Sequence, residues 1–189
     1  MTSSGHNNGP SLGRRTSWRK YCWTKARADL MPHLPIEILR NRVKRAKELG
    51  LEYKTYASVR ASTGHDVIGF LFSSNALRAF KHHPKLPPDR SVKLAALKDC
   101  KRIALVVSPL TPDAFLAANP STLLGAVRAP EAHAGWSATR NAIHASLAPD
   151  KLPADGILLI GDTTLEREWS TAGRLAGYLP ADRYFNQSV

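Results

Sequence analysis

Val67-Ile68-Gly69-Phe70-Leu71-Phe72-Ser73-Ser74-Asn75 decides the fold of this chain: an unbroken apolar run that stops abruptly in three small polar residues. A strand with one wet face alternates apolar and polar residues, whereas a strand covered on both faces reads as a continuous apolar run. Two more stretches repeat the pattern. Ile103-Ala104-Leu105-Val106-Val107 stops at Ser108-Pro109. Ile157-Leu158-Leu159-Ile160, entered through Asp155-Gly156, stops at Gly161-Asp162-Thr163. Between these runs, helices are expected at about 76–81, 90–100, 113–128 and 136–147, and a last one from Thr164 to Tyr178. Leu165, Trp169, Ala172 and Ala176 mark the buried face of the last. Strand–helix–strand alternation belongs to parallel sheets with helices on both faces. The expected fold is a small three-layer α/β domain with a short, mostly parallel, Rossmann-like sheet.

Upstream of the runs the pattern turns helical. Residues 1–15 are rich in Ser, Gly and Asn and are expected to be a disordered tail. A helix is expected from Thr16 or Ser17 through Trp18, Tyr21, Cys22, Ala26 and Leu30 to Pro32, which ends it. Pro35 suits the first turn of the next helix. There Ile36, Leu39, Val43, Ala46 and Leu49 recur at steps of three and four, which makes one apolar stripe. Arg40, Arg42, Lys44, Arg45 and Lys47 occupy the rest, and Gly50 is the expected stop. Residues 51–62 fit both a period of two and a period near three. Helix is the reading taken, with Ser62-Thr63-Gly64 as the turn after it. The organisation is therefore a tail (1–15), a basic helical segment (16–61), an α/β domain (62–185) and a frayed end (186–189).

The charge is uneven. The net charge of +12 divides into +9 on residues 1–60, +5 on residues 61–102 and −2 on the remainder. Such an asymmetry points the N-terminal half at a polyanion: RNA, DNA or an acidic protein. An anionic membrane surface is disfavoured, because no strongly apolar helix face accompanies the charge, and no stretch reaches the apolar length of a membrane span. Cys22 and Cys100 form neither a disulfide framework nor zinc-ligand spacing, and the polar start of the chain does not resemble a secretory signal. A cytoplasmic location and reduced thiols are expected.

The strand exits are the first place to look for chemistry. In open α/β sheets, ligands lie outside the carboxyl ends of the strands, where helix N-termini present unpaired N–H groups. Ser73, Ser74, Asn75, Ser108 and Thr163 are small and polar there and suit a phosphate or carboxylate ligand. Helix capping is the competing explanation for most of them. Capping explains Asp162 poorly, so Asp162 is the candidate acid, base or metal ligand. No G-x-x-x-x-G-K-[ST] loop, G-x-G-x-x-G turn or G-x-S-x-G elbow is present, and no cofactor is indicated. The histidines are scattered, and the His82-His83 pair has poor metal-ligand geometry, so no metal site is expected.

The basic helices are the second place. The stretch Ala46 to Val59, with its glycine at position 50, resembles a helix-turn-helix. That resemblance implies that Lys54, Thr55, Ser58 and Arg60 face a nucleic-acid groove. Without it, Arg40, Lys44, Lys47, Lys54 and Arg60 remain candidates for phosphate contacts, interleaved with Trp18, Tyr21, Trp23, Tyr53 and Tyr56. The leading expectation is a nucleic-acid-binding protein that engages phosphates through its basic N-terminal helices. The alternative is an enzyme that binds a phosphorylated or nucleotide-like ligand at the strand ends through Asp162.

Overall fold

The computed structural model of the protein describes residues 34–120 and 125–186, together with Cys22 and Lys25. The tail 1–15, Trp18, Tyr21 and Trp23 of the first expected helix, and residues 187–189 lie outside the described residues. The chain divides into two compact units, Met1–Leu39 and Arg40–Val189. The second unit holds the whole sheet.

Five strands form that sheet: β1 (Gly69–Ser73), β2 (Lys101–Val106), β3 (Gly125–Arg128), β4 (Ile157–Gly161) and β5 (Gly177–Pro180). All four pairings are parallel, and the spatial order is β3-β2-β1-β4-β5. The order reverses between β1 and β4, which stand side by side with Phe70 opposite Leu158 and Phe72 opposite Ile160. The helices are α1 (Ile36–Glu48), α2 (Tyr53–Thr63), α3 (Pro88–Ala96), α4 (Pro112–Ala118), α5 (Trp136–Leu147), α6 (Thr164–Ala172) and α7 (Ala181–Phe185).

The apolar runs are buried on both faces, as their sequence requires. Phe70, Phe72, Ala104, Val106, Leu158 and Ile160 enter one core cluster. Their neighbours Leu71, Ile103, Leu105, Ile157 and Leu159 enter the other. This is the period-two geometry of a strand with a helix layer on each side. Each fully buried Leu, Ile or Phe contributes roughly 1.5–3 kcal/mol. Leu94 of α3 and Phe115 of α4 join the first cluster, while Ile143 of α5 and Trp169 of α6 join the second. The crossovers among β1, β2 and β3 thus lie on one face, and those leading to β4 and β5 on the other.

Ala46 of α1, Tyr56 of α2 and Tyr184 of α7 also belong to the first cluster. From Arg40 onward, the basic helical segment is therefore part of the same compact unit as the sheet. The apolar stripe expected along α1 is buried only in its last turn. Ala46 and Leu49 are buried, while Ile36 is 62% exposed. Residues 53–63 are helical, as read, and Gly64 closes α2 in the left-handed conformation at φ 76°.

Several boundaries differ from the expectation. Residues 74–78 form turns in place of a helix over 76–81, and Arg78 has a φ of 57°. Phe80 and His83 then exchange backbone hydrogen bonds of 3.0 and 2.9 Å around a tight turn. The helix expected over 90–100 is α3, which Pro88 starts two residues earlier and which stops at Ala96. The helix expected over 113–128 ends at Ala118, and Pro120 forbids its continuation, so that Gly125–Arg128 becomes strand β3. The helix expected to reach Tyr178 ends at Ala172, where Gly173 and a left-handed Arg174 (φ 54°) turn the chain into β5. The strands β3 and β5 are half-buried edge strands of four residues each, without the continuous apolar run that marks the central three.

Candidate functional site

The carboxyl ends of β1 and β4 meet at the point where strand order reverses, so Ser73-Ser74-Asn75 and Asp162-Thr163 lie side by side at one edge of the sheet. The polar groups there are bonded to each other. The buried Ser73 Oγ accepts from Ala76 N at 3.0 Å, and the buried Ser74 Oγ accepts from Val107 N at 3.1 Å. Asn75 Nδ2 donates to Glu166 Oε1 at 2.9 Å, across 91 residues of chain. Glu166, only 1% exposed, also accepts through Oε2 from Asp162 N at 2.5 Å and Thr163 N at 3.0 Å. Thr163 Oγ1 in turn accepts from Glu166 N at 3.2 Å, which completes a capping box.

This arrangement has a chemical consequence. The N-terminus of a helix after a core strand is the usual seat of a phosphate, because its free N–H groups and dipole favour an anion. At α6 that seat already holds an anion, the carboxylate of Glu166. Gly161 is part of the same packing: a Cβ there would lie 2.6 Å from Tyr178 Cε2 and 2.9 Å from Glu166 Oε2. The signature Thr163-Thr-Leu-Glu166, a hydroxyl residue three before a glutamate, is the signal in the sequence that marks this role.

Asp162 stands apart from this network. Only its backbone N–H is engaged; its side chain is exposed and makes no hydrogen bond or ion pair among the described residues. Near this edge lies Arg90, 7% exposed, a residue to which nothing in the sequence drew attention. Its guanidinium stacks 3.8 Å above the Phe185 ring and pairs with Asp89 at 3.4 Å, while Nε and Nη1 lack hydrogen-bond acceptors. Burial lowers its pKa, opposed by the charge of Asp89 and more weakly by Asp182 and Asp162. Ser108, exposed after β2 and joined to Pro109 by a cis peptide, lines a separate cavity of about 310 Å³ with Arg128 and His133. His133 pairs with Glu131 at 3.2 Å there.

The basic helices divide into two kinds of cation. Arg45 is structural. It donates to the carbonyls of Val67, Lys98 and Asp99 at 3.1, 3.4 and 3.0 Å and pairs with Asp66 at 3.3 Å. Arg60 also pairs with Asp66, at 3.7 Å, and lies 3.4 Å from the Tyr56 hydroxyl. Asp66 lies three residues before β1, so these two arginines occupy the amino edge of the sheet, opposite the strand exits. Burial, followed by the hydrogen bond to Asp66, raises the Tyr56 phenol above its usual range. The second kind faces solvent. Arg40, Lys44, Lys47 and Lys54 are exposed; Lys44 has only a loose pair with Glu48 at 3.9 Å. Among the described residues, neither Lys47 nor Lys54 has a side-chain hydrogen bond or ion pair. Lys54 lines a groove of about 420 Å³ between α2 and β5, together with Thr55, Ser58 and Arg183. Arg183 belongs to none of the sequence patterns considered.

Among the described residues, no three His, Cys, Asp or Glu side chains are grouped so as to hold a metal ion, and no helix is long and apolar enough to cross a membrane. Topology places the chain in the class of doubly wound, Rossmann-like α/β proteins. Comparison of the chain with protein-family models, curated proteins and solved structures finds no match.

Proposed function

We propose that this protein binds RNA or DNA through phosphate contacts made by its basic N-terminal helices, with little base specificity. The reading places it in the cytoplasm. The observation that carries it is the charge division, +14 on residues 1–102 against −2 on the rest. In the fold, Arg40, Lys44, Lys47 and Lys54 stay exposed while Arg45 and Arg60 turn to Asp66. The exposed four are therefore the candidates for phosphate contact. Four such contacts set a salt slope near −3.6, so affinity should fall about 100-fold between roughly 50 and 200 mM salt. Fluorescence anisotropy with a labelled duplex and a labelled single strand measures this. Lys44→Glu with Lys47→Glu should weaken all sequences by the same factor. No binding at the lowest salt rules the reading out, and binding to an acidic protein in its place would assign the charge to a protein partner.

A second reading, of a different class, rests on Asp162: an exposed carboxylate, with no hydrogen bond or ion pair among the described residues, at the point where strand order reverses. There Asp162 would serve an enzyme acting on a phosphorylated or nucleotide-like ligand, without Ser108, which lines the separate cavity beside Arg128. Ser73, Ser74, Asn75 and Thr163 would shape that edge from behind, since their side chains are hydrogen-bonded within the fold. A thermal-shift panel of nucleotides and sugar phosphates tests it. Stabilisation that disappears in Asp162→Ala supports this reading, and a panel without any shift removes it.

A further inference from the structure

We propose that the groove between α2 and β5 is a binding site for a single nucleotide unit, with its phosphate at Lys54 and Arg183 and its base on the sheet. The inference deepens the nucleic-acid reading, because Lys54 belongs to both, but the site is defined by its own geometry.

Its volume, about 420 Å³, falls in the range of small-ligand sites. The walls come from parts of the chain far apart in sequence. Lys54, Thr55 and Ser58 lie on α2, Leu158 on β4, Gly177 on β5, and Arg183 on α7. No acidic residue lines the groove. The two cations at its rim therefore meet no carboxylate within it.

Arg183 is held in place. Its Nη2 donates to Thr55 Oγ1 at 3.1 Å, which fixes the guanidinium against α2. A guanidinium has five N–H donors in a planar fork suited to phosphate, so this bond leaves donors over. Lys54 supplies a second charge with no partner among the described residues.

The floor has the opposite character. Leu158 and Leu179 belong to one face of the sheet, and Leu158 pairs in register with Gly177. A side chain at position 177 would project beside Leu158, its Cβ 3.3 Å from Leu158 Cδ1. That contact is already tight, so a larger residue at 177 would have to push into the floor and displace Leu158. An apolar floor with a cationic rim fits an amphipathic anion: a planar base with a phosphate attached. β5 is also the outermost strand of the sheet. The groove therefore lies at the edge of the sheet.

The test uses adenosine 5′-monophosphate, adenosine and inorganic phosphate as separate probes, followed by amide chemical shifts of the full chain. The monophosphate should move the amides of residues 54–59 and 177–179. Adenosine and phosphate should each bind about tenfold more weakly, since each lacks one half of the contact. Two kinds of variant act on different halves: Lys54→Gln with Arg183→Gln removes the charge, and Gly177→Leu fills the space with both cations intact. Each should weaken the monophosphate about tenfold or more, with changes to the unliganded spectrum confined to the neighbours of the substituted residues. The site is overturned if the monophosphate leaves these amides unmoved, if neither variant weakens it, or if phosphate alone binds as well. A single-stranded oligonucleotide separates this from the broader reading. Oligonucleotide binding lost in Lys44→Glu with Lys47→Glu but untouched in Gly177→Leu removes the groove and keeps the nucleic-acid function. The monophosphate mapping to the groove while no oligonucleotide binds keeps the groove and removes that function.

Discussion

Removing the Glu166 carboxylate should both destabilise the fold and create an anion site. In Glu166→Ala three donors lose their acceptor at once: the backbone N–H groups of Asp162 and Thr163 and the amide of Asn75. A hydrogen bond onto a charged group contributes about 1.5–3 kcal/mol, and a donor left buried and unpaired costs about 1–3 kcal/mol. Asp162 and Thr163 are exposed residues, so water can replace part of what their N–H groups lose. The variant is also spared the cost of taking a carboxylate out of water on folding. The net cost is about 3 kcal/mol, or a fall in Tm of roughly 6–12 °C for a chain of this size. Glu166→Gln should cost about half as much, because one side-chain oxygen still accepts and the Asn75 amide can rotate to meet the new N–H₂. Urea unfolding of the two variants, with Asn75→Ala and the double variant, gives the coupling between Asn75 and Glu166, about 1 kcal/mol. Added phosphate or sulfate should then stabilise Glu166→Ala more than the parent, since only the variant has a vacant N-terminus at α6. A Glu166→Ala cost below about 1 kcal/mol, or equal stabilisation of variant and parent by phosphate, would refute the view that this carboxylate occupies the anion seat.

Two further outcomes follow from groups outside the strand exits. Arg45→Met keeps the aliphatic stem but leaves the carbonyls of Val67, Lys98 and Asp99 and the Asp66 carboxylate short of a donor; it should cost about 2–3 kcal/mol in urea unfolding, and an unchanged midpoint would contradict the structural role. Burial pushes the Cys100 thiol up, and burial likewise raises the phenols of Tyr178 and Tyr184. Acids whose folded pKa is raised favour the folded state fully below their ordinary range, and that contribution is lost as pH climbs through the raised values. At about pH 8, iodoacetamide should therefore modify the exposed Cys22 faster than the half-buried Cys100, and urea stability should decline above about pH 9. Equal labelling rates for the two thiols would show that Cys100 is not shielded.

The candidate site was only partly legible in the sequence. Ser73, Ser74, Asn75 and Thr163 were visible as small polar residues at strand ends, a local feature of composition. Their hydrogen bonds were not visible, because the partner of Asn75 is Glu166 and the partner of Ser74 is Val107, brought close only by strand order. The same holds for the cations. Arg45 and Lys44 are adjacent on one basic helix and look alike in sequence. The fold turns one onto three carbonyls and Asp66 and leaves the other in water.

The sequence by itself determined the three central strands, their burial on both faces and the class of fold, because a continuous apolar run is a local pattern that only a covered strand satisfies. It also determined α1 and the strong positive charge of the first half, whereas residues 51–62 fit both periods and became α2 only in the packed fold. The tertiary structure alone decided the edge strands, the bond from Asn75 to Glu166 and the groove at Lys54. Gly125–Arg128 and Gly177–Pro180 are short and half-buried, and they become strands only because β2 and β4 offer free edges to pair with. The groove depends on Gly177 and Arg183 meeting a helix more than a hundred residues earlier. No local periodicity encodes a meeting of that kind; it exists only once the core has packed.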